Sequence, residues 1–216
     1  MAFTVLNSRM VRARVAPGRK LFSQRGAMLA YTGEVRFTPS ITGGQGGVLG
    51  MVGRRVAGEA TPLMTVEGDG TVMFGHGGHH VQVIDLWGDT LYVEADRLLA
   101  FDGTLRQGTM FLGSQGGVMG MVRGQVTGQG LFTTTLEGHG SAAVMAHGGV
   151  IELPIAPGRP VHVDPQAYVA HRGEVRNRLS TALGWRDMVG RGSGEAFQLE
   201  LSGTGTVYVQ ASEEKL

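Results

Sequence analysis

The sequence contains no cysteine, only two lysines and few aromatic residues, and each shortage excludes a class of function. Without cysteine there is no disulfide framework, no thiolate metal site and no cysteine nucleophile. A phosphate-binding P-loop requires a Gly-Lys-Ser/Thr motif, and neither Lys20 nor Lys215 stands in one. The aromatic content of 6% disfavours a single-stranded nucleic-acid platform, which needs stacking side chains. The net charge of +1 gives no general attraction to nucleic acid or to an anionic membrane.

Long apolar runs are also absent, so the sequence predicts no transmembrane helix and a cytoplasmic location by default. Glycine is abundant instead, with 37 residues among 216. No segment shows a long helical period with capping residues, whereas short runs rich in valine and threonine alternate with glycine. This pattern is typical of many short strands joined by tight turns, and it predicts an all-β fold.

The sequence repeats itself with a period of about 70 residues. The stretch Gly33–Arg36, read GEVR, recurs as Gly173–Arg176, and Gly103 lies midway between Gly33 and Gly173. Glycine and methionine anchors in the second half of the first two units keep the 70-residue spacing, whereas the third unit is more diverged and has small deletions. We therefore predict three β repeats that form one compact body, at residues 1–79, 80–149 and 150–216.

Each repeat contains a short segment of glycine and polar residues inside a strand-like pattern. We predict that these spacers are turns between two strands, and they lie at residues 67–70, 137–140 and 202–205. Near the start of the chain, Arg12 and Arg14 alternate with Val11, Ala13 and Val15, which predicts a half-buried strand with a solvated arginine face. A surface that binds RNA or anionic lipid is the alternative for these arginines.

Several blocks of the sequence resemble one known family. They are the opening at Ala16–Tyr31, the loop at Arg55–Glu59, EGDGTVMFGHGG at Glu67–Gly78, GDTLYVEADRLLAFDG at Gly88–Gly103 and LSGTGTVYVQ at Leu201–Gln210. With these motifs the chain resembles the altered-inheritance-of-mitochondria protein twenty-four family, whose members look like the trp RNA-binding attenuation protein in fold. The resemblance implies three β-sandwich units of shortened double-stranded β-helix type, packed about a pseudo-threefold axis and often assembling further. It implies a part in mitochondrial inner-membrane organisation for mitochondrial members, and it supplies no catalytic residues or cofactor.

The histidines of the first repeat form the most suggestive polar cluster. His76, His79 and His80 lie within five positions, and neutral imidazoles are common ligands of transition metals. The equivalent block of the second repeat keeps only His147. We therefore favour a surface turn with incidental histidines, and a metal site remains the alternative.

Three glycine-rich loops carry apolar side chains at equivalent positions of the repeats. These residues are Val48, Leu49, Met51, Val118, Met119, Met121, Trp185 and Met188. Exposed together, they would form an adaptable surface for self-association, a protein partner or a membrane surface. The alternative is that they fold inward and fill the core between the repeats.

Three functional hypotheses follow. The first is a non-enzymatic assembly or protein-interaction protein of unknown specific role, located either beside a membrane or away from one. The second is an RNA- or other ligand-binding module, by analogy with the RNA-binding relative. The third is a small-molecule enzyme that uses a metal bound by His76, His79 and His80.

Overall fold

Strands dominate the computed structural model, which describes residues 2–40, 63–111, 132–181 and 197–213. The strands are Phe3–Asn7 (β1), Met10–Val15 (β2), Leu21–Gln24 (β3), Met28–Pro39 (β4), Leu63–Phe74 (β5), His80–Glu94 (β6), Leu98–Asp102 (β7), Arg106–Phe111 (β8), Phe132–Ala146 (β9), Val150–Ile155 (β10), Val161–Val163 (β11), Tyr168–Thr181 (β12) and Phe197–Gln210 (β13). Within those ranges the helical element is one 3-10 turn, Ala95–Arg97. The predicted all-β class is confirmed.

The described strands join into one thirteen-stranded antiparallel sheet that is built from three similar groups. At the centre of each group is a long strand, β5, β9 or β13. In the first group, β5 pairs with β4 on one side and with β2 and β3 on the other. In the second group, β9 pairs with β7 and β8 on one side and with β6 on the other. In the third group, β13 pairs with β12 on one side and with β10 and β11 on the other. The groups meet where β3 pairs with β7 and where β6 pairs with β12.

The hydrogen-bond register recurs between the groups. Each long strand faces a bulge in its partner, between Met28 and Ala30, between Leu98 and Ala100, and between Tyr168 and Ala170. The bulged positions are therefore 29, 99 and 169, which follow one another at the 70-residue spacing of the sequence repeat. The predicted limits of the repeats fall between β5 and β6 and between β9 and β10. The packing of three units about a common axis stays a prediction.

The glycine spacers do not form turns, and that prediction is wrong. β5, β9 and β13 each run without interruption through the spacer. In the first and third spacers the glycines permit a close approach of two backbones instead. Gly68 adopts a φ of 132°, and a side chain there would overlap the carbonyl oxygen of Glu34 on β4. Gly203 has the same relation to Glu174 on β12.

The core consists of the inward faces of these strands. On β2 the side chains of Val11, Ala13 and Val15 are buried, whereas Arg12 and Arg14 are exposed. The alternation predicted for this strand is confirmed, because residues two apart point to the same face of a sheet. Three buried apolar clusters follow one another along the sheet, with most residues of each contributed by one group of strands.

Candidate interaction surface

The two places where neighbouring groups of strands meet, here called the internal junctions, share one geometry. At the first junction Phe22 on β3 lies opposite Phe101 on β7, and their rings stack with centroids 5.1 Å apart. At the second, Tyr92 on β6 lies opposite His171 on β12, and these rings stack at 4.6 Å and 8°. Each junction is thus a short antiparallel pairing with an aromatic pair across its middle.

The strand β4 occupies the position of β7 and β12, but in the described part of the chain its pairing partner is β5 alone. The segment at residues 28–32, here called the β4 edge, consequently exposes its side chains. Leu29 and Tyr31 are 51% and 47% exposed. Their counterparts 70 residues later, Leu99 and Phe101, are 0% and 1% exposed. The β4 edge is therefore an apolar strand edge whose two equivalents are covered.

The third group of strands carries the complementary strand. In the 70-residue repeat, β11 is equivalent to β3 and to the C-terminal end of β6. Among the described residues, β11 pairs with β13 alone. Its central residue, His162, is exposed, while Val163 is buried. We call residues 161–163 the β11 edge. β4 and β11 both branch from the main strand order, β4 at β5 and β11 at β13, and no pairing joins the two edges within the described ranges.

A buried polar pair lies at the second junction. The Tyr168 hydroxyl donates to the carbonyl of Tyr92 at 3.1 Å and lies 2.7 Å from Nδ1 of His171. Because the hydroxyl has one hydrogen, the tautomer that satisfies both contacts places a proton on Nδ1 of the neutral imidazole. Burial lowers the pKa of His171 to about 4 and raises the pKa of Tyr168 well above its ordinary value. Both groups are neutral at physiological pH and hold the junction together.

A buried arginine ties the 3-10 turn to the last strand. Arg97 is 1% exposed, and its Nε donates to the Glu94 carboxylate at 2.5 Å. Its other nitrogens donate to the side-chain oxygen of Gln210 and to the carbonyl of Gln166. The same Gln210 oxygen accepts a hydrogen bond from the backbone of His147 at 2.9 Å. This arrangement gives each of the three guanidinium nitrogens an acceptor and joins the second and third groups of strands to each other.

The predicted histidine cluster lies in a turn, in which the backbone N–H of His79 donates to the carbonyl of His76 at 3.0 Å. Nδ1 of His76 lies 3.4 Å from the carbonyl of Gly26, and His80 begins β6. The ring of His79 meets His147 of the equivalent turn edge-on at 4.5 Å. Burial and the neighbouring His147 lower the pKa of His79. Within the described ranges, no three histidine or carboxylate side chains are placed to hold a metal ion.

Neither His171 nor the β4 edge was predicted from the sequence. The available signal was the repeat itself, because His171 and Tyr31 each lie 70 residues from Phe101, so the position is aromatic in all three repeats. The apolar loop residues singled out in the sequence all fall outside the described residues. They are Val48, Leu49, Met51, Val118, Met119, Met121, Trp185 and Met188. Their proposed surface stays a prediction.

Two open grooves lie beside the close strand contacts. The larger, of about 910 Å³, is lined in part by Asp89, Glu174 and Arg176. The smaller, of about 250 Å³, is lined in part by Glu34 and Arg36, which lie 140 residues earlier than Glu174 and Arg176. Both grooves mix acidic and basic groups, so neither offers a field of one sign for a highly charged ligand.

Comparison with known proteins decides the family. A family model described as mitochondrial biogenesis AIM24 matches residues 3–212. The chain belongs to the AIM24 family. In fold, this AIM24 chain is similar to a crystal structure of a Streptococcus pyogenes protein, with a TM-score of 0.72 and 20% identity over 97% of this chain and 92% of the other. No curated protein matches the sequence.

In the ranges described, this AIM24 protein has no helix that is long and apolar enough to span a bilayer.

Proposed function

We propose that this AIM24-family protein is a non-enzymatic assembly protein that binds a protein partner through the β4 edge. The observation that carries the proposal is the exposure of Leu29 and Tyr31 on a strand that, in the described structure, pairs on one side only. Unpaired N–H and C=O groups along such a strand are a template for pairing with another chain. A partner strand laid against this edge would gain main-chain hydrogen bonds and apolar contact together.

The internal junctions support this reading of the edge. Where the same strand position is partnered, at Phe101 and His171, its side chain is 1% exposed. Soluble proteins ordinarily protect a strand edge with charge, proline or a covering element. The β4 edge places Met28, Leu29 and Tyr31 there instead, and we infer that this apolar surface serves binding. The apolar glycine-rich loops remain a second proposed surface.

Sedimentation velocity over a range of protein concentrations tests the proposal. We expect the wild-type chain to sediment as a species larger than its 22.8 kDa monomer. A double variant, Leu29→Ser with Tyr31→Ser, should shift the population toward the monomer because it removes the exposed apolar contacts. The matched control is Val5→Ser, since Val5 is also 51% exposed but lies on β1. A wild-type chain that is monomeric at every concentration would refute self-association through this edge.

A further inference from the structure

Both internal junctions obey one rule of register. Phe22 faces Phe101 at the first junction, and Tyr92 faces His171 at the second. Both partners therefore advance by the repeat length, since 92 − 22 = 70 and 171 − 101 = 70. On either side of the aromatic pair, the same antiparallel pairing extends by one residue.

The same rule defines a third junction that the described chain leaves open. The residue 70 positions after Tyr92 is His162 on β11, and the residue 70 positions before Phe101 is Tyr31 on β4. Both are aromatic rings, and both are exposed. The neighbouring position on the β4 side is Ala30, which matches Ala100 and Ala170 at the two formed junctions. The two edges thus carry the residues that a junction of this type contains.

We propose that the β11 edge of a second copy of the chain pairs antiparallel with the β4 edge, with His162 opposite Tyr31. This inference rests on the proposed assembly function and names its partner. In this register Val163 lies opposite Ala30 and Val161 lies opposite Thr32. The new pairing continues the sheet of one copy into the next by the same contact that already joins the repeats within each copy.

A second copy is the occupant because β4 lies in the first group and β11 in the third, each pairs with a single strand, and no pairing joins the two in the described chain. Each copy therefore offers one β4 edge and one β11 edge, and the two surfaces differ. A contact between different surfaces is heterologous, so copies add head to tail and form a closed ring or a filament. A symmetric dimer of two β4 edges would leave both β11 edges open and would bring no histidine to Tyr31.

Cysteine cross-linking tests the proposal directly, because the chain has no cysteine of its own. The variants are Tyr31→Cys, His162→Cys and the double variant that carries both. Side chains directly opposite each other on antiparallel strands come within about 5.5 Å between Cβ atoms, which a disulfide or a short bis-thiol reagent spans. The control is Thr32→Cys mixed with His162→Cys, since residue 32 points to the other face of the strand.

The expected result is a covalent dimer when Tyr31→Cys and His162→Cys are mixed, and a ladder of higher species from the double variant. Neither single variant should cross-link with itself, and the Thr32→Cys mixture should link far less. A cross-linked Tyr31→Cys homodimer would replace the proposal with symmetric β4 pairing. A double variant linked only within one chain would show that β11 closes onto its own β4, which overturns the proposal. Assembly in sedimentation without any cross-link would retain the assembly function and reject this register.

Discussion

At the scale of single residues, His171 makes stability depend on pH. Its pKa is about 4 in the folded chain and 6.5 when unperturbed, so between these values the unfolded chain binds a proton that the folded chain does not. The free energy of unfolding therefore falls as the pH drops through this window, by at most about 3 kcal/mol below it. We expect urea unfolding to show this loss between about pH 7 and about pH 4.

The matched variant for this prediction is His171→Phe, because phenylalanine holds the equivalent position at residue 101. The Tyr168 hydroxyl keeps its hydrogen bond to the Tyr92 carbonyl in this variant. The stability of His171→Phe should fall less steeply over the same pH range. An unchanged slope would mean that other groups control the acid response.

The glycine at residue 68 makes a second prediction at this scale. A methyl group there would overlap the Glu34 carbonyl oxygen, and the φ of 132° is one that other residues rarely adopt. We expect Gly68→Ala to lower the free energy of unfolding by about 2 kcal/mol or more. Gly18→Ala is the control, since Gly18 also has a positive φ but its added Cβ meets no atom within 4 Å. Equal losses in urea titrations of the two variants would contradict the close strand approach.

At the scale of the elements, Arg97 connects the 3-10 turn to β13. Arg97→Met removes the guanidinium that Glu94 and Gln210 bind, at a position that is 1% exposed. We expect a loss of about 3–5 kcal/mol in the free energy of unfolding, measured by chemical denaturation. Arg106→Met provides the comparison, because Arg106 binds Glu137 at the same 2.5 Å on the surface. That variant should unfold at the wild-type denaturant concentration, and an equally large loss would mean that burial is not the cause.

At the scale of the whole molecule, the β4 edge links stability to concentration. Association of folded chains stabilises them by mass action, so the melting temperature should rise with protein concentration. The Leu29→Ser and Tyr31→Ser double variant should melt at a temperature that is independent of concentration. Differential scanning calorimetry over a hundredfold concentration range measures this. A concentration-independent wild-type melting temperature would argue against assembly of the folded chain.

The sequence predicted the all-β class and the buried face of β2, because alternation of apolar and polar residues follows directly from strand geometry. It misread the glycine spacers, since glycine is required both in a tight turn and where two backbones pass closely. The sequence also did not predict that Tyr31 is exposed whereas His171 is buried. These residues hold equivalent positions in the repeat, and only the neighbouring strand decides which of them is covered.

The aromatic pairs of the two internal junctions are chemically different, and this bears on the order in which acid separates the groups of strands. Phe22 and Phe101 form an apolar pair with no group that titrates, whereas His171 uses Tyr168 to satisfy its ring nitrogen. Protonation of His171 would place a buried charge at the second junction and would leave the stacked phenyl rings of the first unchanged. Acid should therefore release the third group of strands from the second before the first and second groups separate.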